Sequence, residues 1–156
     1  VIREAKPSDC EAIWGLICEL AEYERLEHLL EGSPSMLQDH LFGERRFAEA
    51  LVAESDGNVV GYALFFHNYS TFLTRPGIWL EDLAVTPSMR GKGIGKALLV
   101  EVARIARERK CGRLEWAVLD WNDPAIRFYE SLGAVRMPDW QICRVEGEAL
   151  ERFALD

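Results

Sequence analysis

Arg90, Gly91, Lys92, Gly93, Gly95 and Lys96 put three glycines and three basic side chains into one short stretch. These residue types in this pattern suit anion binding. Glycine lets the chain turn tightly and lets a ligand reach bare backbone, and the cations supply positive charge. Ahead of them, residues 78–85 are mostly apolar and β-compatible, broken by the adjacent carboxylates Glu81 and Asp82. A turn at Thr86-Pro87-Ser88 follows, and an amphipathic run begins near Lys96. Strand, glycine loop and helix N-terminus in that order aim several backbone N–H groups and the helix dipole at one place, so a phosphate or pyrophosphate is the natural guest. A nucleotide-hydrolase loop would need G-x-x-x-x-G-K and then Ser or Thr for magnesium, but the spacing fails and Ala97 follows Lys96. A dinucleotide fingerprint would need G-x-G-x-x-G, whereas Gly91, Gly93 and Gly95 alternate singly in mid-chain. A tight strand-to-helix connection with incidental glycines is the plain alternative.

The elements that must position this loop follow from periodicity and turn chemistry. Residues 1–5 read as a first strand, Pro7-Ser8-Asp9 as a helix start, and Ile13, Leu16, Ile17 and Leu20 recur at helical spacing to about Leu26. A second helix fits residues 34–42, with Ser33 or Ser35 near its start. Residues 47–54 and 59–67 read as strands around the hairpin signal Asp56-Gly57-Asn58. Residues 69–77 read as a polar, aromatic connection into the strand that carries Glu81. The helix after the loop runs over about 93–110 and stops at Cys111-Gly112. A strand over 114–119, a helix to Gly133 with Asp123 as N-cap and Pro124 in its first turn, a final strand over 140–145 and a tail helix over 148–155 complete the chain. No repeat or linker interrupts it, so a single α/β domain over 1–156 is expected.

Composition bounds the function. A chain of 156 residues, 49% of them hydrophobic, can bury a core without disulfides or metals. Cys10, Cys18, Cys111 and Cys143 form no C-x-x-C pair, and His28, His40 and His67 have no ligand spacing, so reduced thiols and no metal site are expected. The net charge of −8 disfavours nucleic acid as a partner. No apolar run reaches membrane-spanning length, and residues 1–5 carry no signal-peptide features. A cytoplasmic protein is expected, with its initiator Met outside this numbering.

The loop matches R-x-x-G-x-G through Arg90, Gly93 and Gly95, and Asn122 and Tyr129 form a later N-x-x-x-x-x-x-Y pair. Together with the element order these resemble the GNAT N-acetyltransferase superfamily. Glu19-Leu20-Ala21 with Tyr23-Glu24, Leu80-Glu81-Asp82, the run Ala117-Val118-Leu119-Asp120-Trp121-Asn122, and Glu146-Gly147-Glu148-Ala149 resemble its spermidine/spermine acetyltransferase family, nearest the thialysine branch. The resemblance implies an α+β fold with a mixed, mostly antiparallel sheet of six to seven strands, splayed after the strand of Glu81. Acetyl-CoA is the implied cofactor. Its pantetheine would pair with backbone near Leu83, Ala84 and Val85 and be held by Asn122. Its pyrophosphate would sit on the amides of Gly91, Lys92, Gly93, Ile94, Gly95 and Lys96 beside Arg90.

The same resemblance implies the chemistry and the partners. An amine of pKa ~10 must lose a proton before attack, and a thiolate of pKa ~8.5 leaves more readily once protonated. Glu81 corresponds to the family's general base, acting through water, and Tyr129 to its general acid, although by pattern alone Tyr129 reads as a core aromatic of an amphipathic helix. Alternation along a strand sends Glu81 and Asp82 to opposite faces, so Glu81 is expected to serve catalysis and Asp82 substrate binding or structure. Tyr23 and Glu24 correspond to residues lining the amine channel. Where polyamine-acetylating members carry Tyr-Asp-Pro-Trp, this chain has Tyr69-Ser70-Thr71-Phe72, which favours a small diamino acid such as thialysine over spermidine or spermine. A homodimer is implied. A non-catalytic acyl-CoA sensor and a peptide acetyltransferase of the same fold are the competing readings.

Overall fold

In the computed structural model, residues 1–155 are described. The chain divides into two compact units, Val1–Ala117 and Val118–Asp156. The first holds β1 (Ile2–Glu4), α1 (Cys10–Tyr23), α2 (Pro34–Phe42), β2 (Glu49–Ser55), β3 (Asn58–Ser70), β4 (Arg75–Val85), α3 (Ile94–Glu108) and β5 (Leu114–Trp116). The second holds α4 (Asp123–Ser131) and α5 (Gly147–Leu155). Among the described residues no helix is long and apolar enough to cross a membrane.

One five-stranded sheet runs in the order β1-β2-β3-β4-β5. Its first four strands pair antiparallel and β5 lies parallel to β4. The β2–β3 hairpin closes through Asp56 (φ 50°) and Gly57 (φ 78°), a turn with two positive φ angles whose twist suits the flanking strands. Cys10, Ile13 and Leu16 of α1 and Leu41 of α2 pack with Ala50, Val52 and Tyr62 on one face of the sheet. Leu98, Leu99, Val102 and Ala106 are the buried side of α3, and Leu98 reaches Gly61 on the opposite sheet face. Cutting Leu98, which is fully enclosed, back to Ala would cost about 2–5 kcal/mol. At the start of α1, Asp9 accepts from the Lys6 amide at 2.7 Å and takes a two-pronged contact from Arg3 at 2.8 and 3.0 Å, tying β1 to the helix.

Several expectations are corrected. The sheet has five strands among the described residues, not six to seven. Residues 69–77 are mostly strand, because β3 runs to Ser70 and β4 starts at Arg75, leaving residues 71–74 as the turn. The strand expected over 114–119 stops at Trp116, whose partner Leu80 is the last residue of β4 to pair with it. Residues 140–145 form no strand, since an isolated apolar run without a ladder partner has nowhere to place its backbone hydrogen bonds. The N-cap of α4 is Asn122 and not Asp123. Its side chain accepts from Ala125 N at 3.4 Å, whereas Pro124 has no N–H and Ile126 N already bonds the Asn122 carbonyl.

Candidate active site

The splay of the sheet is visible in its pairing. β5 accompanies β4 only along Ile78, Trp79 and Leu80, while β4 continues to Val85 on its β3 side. The other edge of residues 81–85 therefore carries no strand among the described residues. An extended chain could pair there as an added strand does. Leu83 and Val85 lie opposite Ala63 and Gly61, and Ala84 lies opposite Tyr62.

Beyond that edge the loop is built as anticipated. Gly91 (φ 79°) and Gly93 (φ 81°) adopt the left-handed backbone, and a Cβ at either would meet nothing within 4 Å. Gly93 is the N-cap of α3, and no side chain caps the helix. The first amides of α3, from Ile94, Gly95 and Lys96, are thus left for an external acceptor. Gly95 packs closer to the fold, with its virtual Cβ 3.8 Å from Val85 Cγ2. Lys92 and Lys96 are exposed. Arg90 turns back toward the sheet: its Nε donates to the Val85 carbonyl at 3.0 Å and its guanidinium stacks over the Tyr23 ring at 5.1 Å. That contact joins the expected phosphate loop to the expected amine-binding end of α1.

The carboxylates depart from the alternation rule. Leu64 pairs with Asp82 but the next residue, Phe65, pairs with Leu80, so Glu81 is the extra residue of a β-bulge. Leu64 and Tyr62 belong to the α1 face of the sheet, and the register puts Asp82 on that face with them. Glu81 accepts from Trp79 Nε1 at 3.0 Å, two residues earlier on the same strand, and its charge acts on both Asp82 and Tyr62. The bulge therefore gathers both carboxylates, and the expectation that they face oppositely is overturned.

Glu24 closes the cluster from the end of α1. Burial first, and then the charge of Asp82, push its carboxyl above the usual range. Asp82 is raised as well, chiefly by burial and further by Glu81, while a hydrogen bond from Tyr62 at 2.8 Å acts the other way. No Lys, Arg or His forms an ion pair with Glu24, Glu81 or Asp82 among the described residues. Partly desolvated carboxylates gathered in one place are stabilised by a cation, so the arrangement can receive an ammonium group. Tyr62 was not singled out from sequence; its signal is only a tyrosine amid apolar strand residues, indistinguishable from a core aromatic.

Other expected contacts lie elsewhere. Tyr69 pairs with Pro76 near the far end of the β3–β4 hairpin, and Phe72 in its turn is fully exposed. At ~3.3 Å per residue, the five steps from Pro76 to Glu81 set them about 17 Å apart along β4, so the chain does not bring Tyr69 and Phe72 to the carboxylates. Asn122 and Tyr129 belong to the second unit. Asn122 is buried and caps α4, and Tyr129 is half-buried in the last turns of that helix, with its ring 5.5 Å from Phe128.

Comparison with known proteins narrows what such a loop and edge can be. Residues 13–134 match the model of the acetyltransferase (GNAT) family. The thialysine N-epsilon-acetyltransferase of Bos taurus is 43% identical over 99% of this chain and 96% of its own length. The L-ornithine N5-acetyltransferase NATA1 of Arabidopsis thaliana is 34% identical over 96% of this chain and 86% of its own. Among solved structures, an integron cassette protein from the mobile metagenome of V. cholerae superposes with a TM-score of 0.84 at 28% identity, covering 100% of this chain and 98% of that one. Bare helix-start amides beside an unpaired strand edge could serve several phosphate ligands, but a family match across most of the chain decides among them: this chain is an acyltransferase belonging to the acetyltransferase (GNAT) family.

Proposed function

We propose that the chain transfers acetyl from acetyl-CoA to the side-chain amine of a small diamino acid of the thialysine or ornithine type. The observation that carries this reading is the grouping of Glu81 and Asp82 with Glu24, none of them in an ion pair among the described residues, beside a strand edge that leads to the glycine loop. The names of the curated relatives, one for the Nε of thialysine and one for the N5 of ornithine, support a diamino acid over a polyamine.

The residues present suit acetyl-CoA. The backbone at Leu83, Ala84 and Val85 lies on an edge without a neighbouring strand among the described residues, where the Val85 carbonyl accepts from Arg90; that edge suits the pantetheine, with Asn122 assisting, and the amides from Gly91 to Lys96 with Arg90 offer a pyrophosphate seat. Bound acetyl-CoA supplies an activated thioester. In this reading Glu24, Asp82 and Tyr23 hold the ammonium, Glu81 takes its proton through water, and Tyr129 protonates the departing thiolate. Glu81 sits at the exposed edge of the cluster, where water can relay a proton. Tyr69 and Phe72 would act only where a second copy extends the substrate site.

A homodimer, a single catalytic domain and a cytoplasmic location belong to the same proposal. Exposed Trp140, Ile142 and Phe153 offer apolar surface for a second copy. The family match continues across the boundary between the two units, and four free thiols suit a reducing compartment. The test is thiol release from acetyl-CoA with thialysine, lysine, ornithine, putrescine, spermidine and spermine, for wild type and Tyr129→Phe. A diamino acid should be turned over fastest, and Tyr129→Phe should slow it ~10²-fold. Turnover of polyamines alone, or an indifferent Tyr129→Phe, would sink the reading.

A further inference from the structure

Tyr62 takes no part in the steps above, yet it is fully enclosed and its hydroxyl reaches into the carboxylate cluster. Its ring packs in the core shared with Cys10, Ile13, Leu16 and Val52. Its hydroxyl donates to Asp82 Oδ2 at 2.8 Å. The contact is diagonal across the strands, since Tyr62 stands opposite Ala84 and Asp82 opposite Leu64, so the two side chains leave the same face of the sheet. A buried phenol needs a partner, and a carboxylate acceptor gives the stronger, charge-assisted kind of bond.

Two features make this more than core satisfaction. Tyr62 is the hydrogen-bond partner of Asp82 among the described residues, and no enclosed side-chain oxygen there is left without a partner, so Oδ1 of Asp82 remains accessible. The bond thus pins one carboxylate oxygen and leaves the other open. The donor is also neutral. A lysine or arginine in its place would cancel the charge that an incoming ammonium needs, whereas burial, and then the charge of Asp82, push the phenol far above its ordinary pKa and keep it a donor at every working pH.

We propose that Tyr62 is a positioning residue for the amine substrate: through its hydroxyl it holds the Asp82 carboxylate in the orientation that receives the ammonium, so that amine affinity, and not turnover, depends on that hydroxyl. This rests on the amine-acetyltransferase reading. The titratable groups facing Asp82 are Tyr62 from β3, Glu81 from β4 and Glu24 from the end of α1.

The test is steady-state kinetics of Tyr62→Phe, Asp82→Asn and the double variant against wild type, across pH, with thialysine or the best amine found. Phenylalanine keeps the ring and its packing, and KM and the pH profile are unaffected by how much of the protein is folded. Tyr62→Phe should raise the amine KM about tenfold, equivalent to ~1.4 kcal/mol. It should leave kcat within about twofold and the acetyl-CoA KM unchanged, and it should move the acid limb of kcat/KM to higher pH. In the Asp82→Asn background the same change should move the amine KM less than about twofold. An unchanged amine KM in Tyr62→Phe, or an equal rise in the Asp82→Asn background, overturns the proposal while wild-type turnover leaves the activity standing. A wild type that acetylates no small amine removes the activity and this role together.

Discussion

Replacing Gly93 by alanine separates what the loop does for the fold from what it does for the cofactor. Gly93 has φ 81° and ψ 7° as the N-cap of α3, and an added Cβ meets no atom within 4 Å. Packing is therefore undisturbed, and the stability cost is that of a left-handed alanine, about 1–2 kcal/mol. For a chain of this size each kcal/mol lowers Tm by about 2–4 °C, so a fall of roughly 2–8 °C is expected by scanning calorimetry. The methyl group also enters the open space before the uncapped amides of α3, where close approach by a pyrophosphate requires bare backbone. The acetyl-CoA KM should rise at least about tenfold, ~1.4 kcal/mol, with the amine KM unchanged at saturating acetyl-CoA. Gly133→Ala is the control: its φ is 95° and its Cβ also meets nothing within 4 Å, so it should lose comparable stability and keep the wild-type acetyl-CoA KM. If Gly93→Ala loses stability but binds acetyl-CoA as wild type does, the loop amides are not the phosphate seat.

Asn122→Ala should lower stability by about 1 kcal/mol through loss of the α4 cap and raise the acetyl-CoA KM; Asn122→Ser, which can still cap, should restore Tm more than it restores KM. The carboxylate cluster predicts a pH signature in calorimetry. Glu24 and Asp82 have raised values in the fold, so their contribution to stability is fully present below the ordinary carboxylate pKa of about 4 and is lost as pH rises through the raised values. Asp82→Asn should accordingly raise Tm at neutral pH, with the gain vanishing near pH 4, while weakening amine binding. Asp9 behaves oppositely: its value is lowered, first by the Arg3 hydrogen bond, so removing Arg3 should cost stability at neutral pH and progressively less as pH falls through the lowered value.

Much of this architecture was legible because local chemistry and tertiary structure agree. The positive-φ glycines of the loop, the Asp56-Gly57 turn and the Ser33 cap, whose side chain accepts from Met36 N at 3.2 Å, each follow from residue type at one position. The features that escaped depend on partners far away in sequence. The bulge at Glu81 is a property of the β3–β4 register, invisible to a period of two read along one strand. The Tyr62–Asp82 bond follows from that same register. Residues 140–145 have strand composition but no ladder, and the identity of the α4 cap turned on which amides Pro124 and Ile126 could still offer.

The most direct test of the central claim is product analysis. Enzyme, acetyl-CoA and thialysine would be incubated together and the amine product identified by mass spectrometry and NMR. The account predicts one acetyl group on the side-chain nitrogen, formed in step with free CoA and abolished when acetyl-CoA is withheld. Release of CoA without an acetylated amine, or acetylation confined to the α-nitrogen, would contradict it.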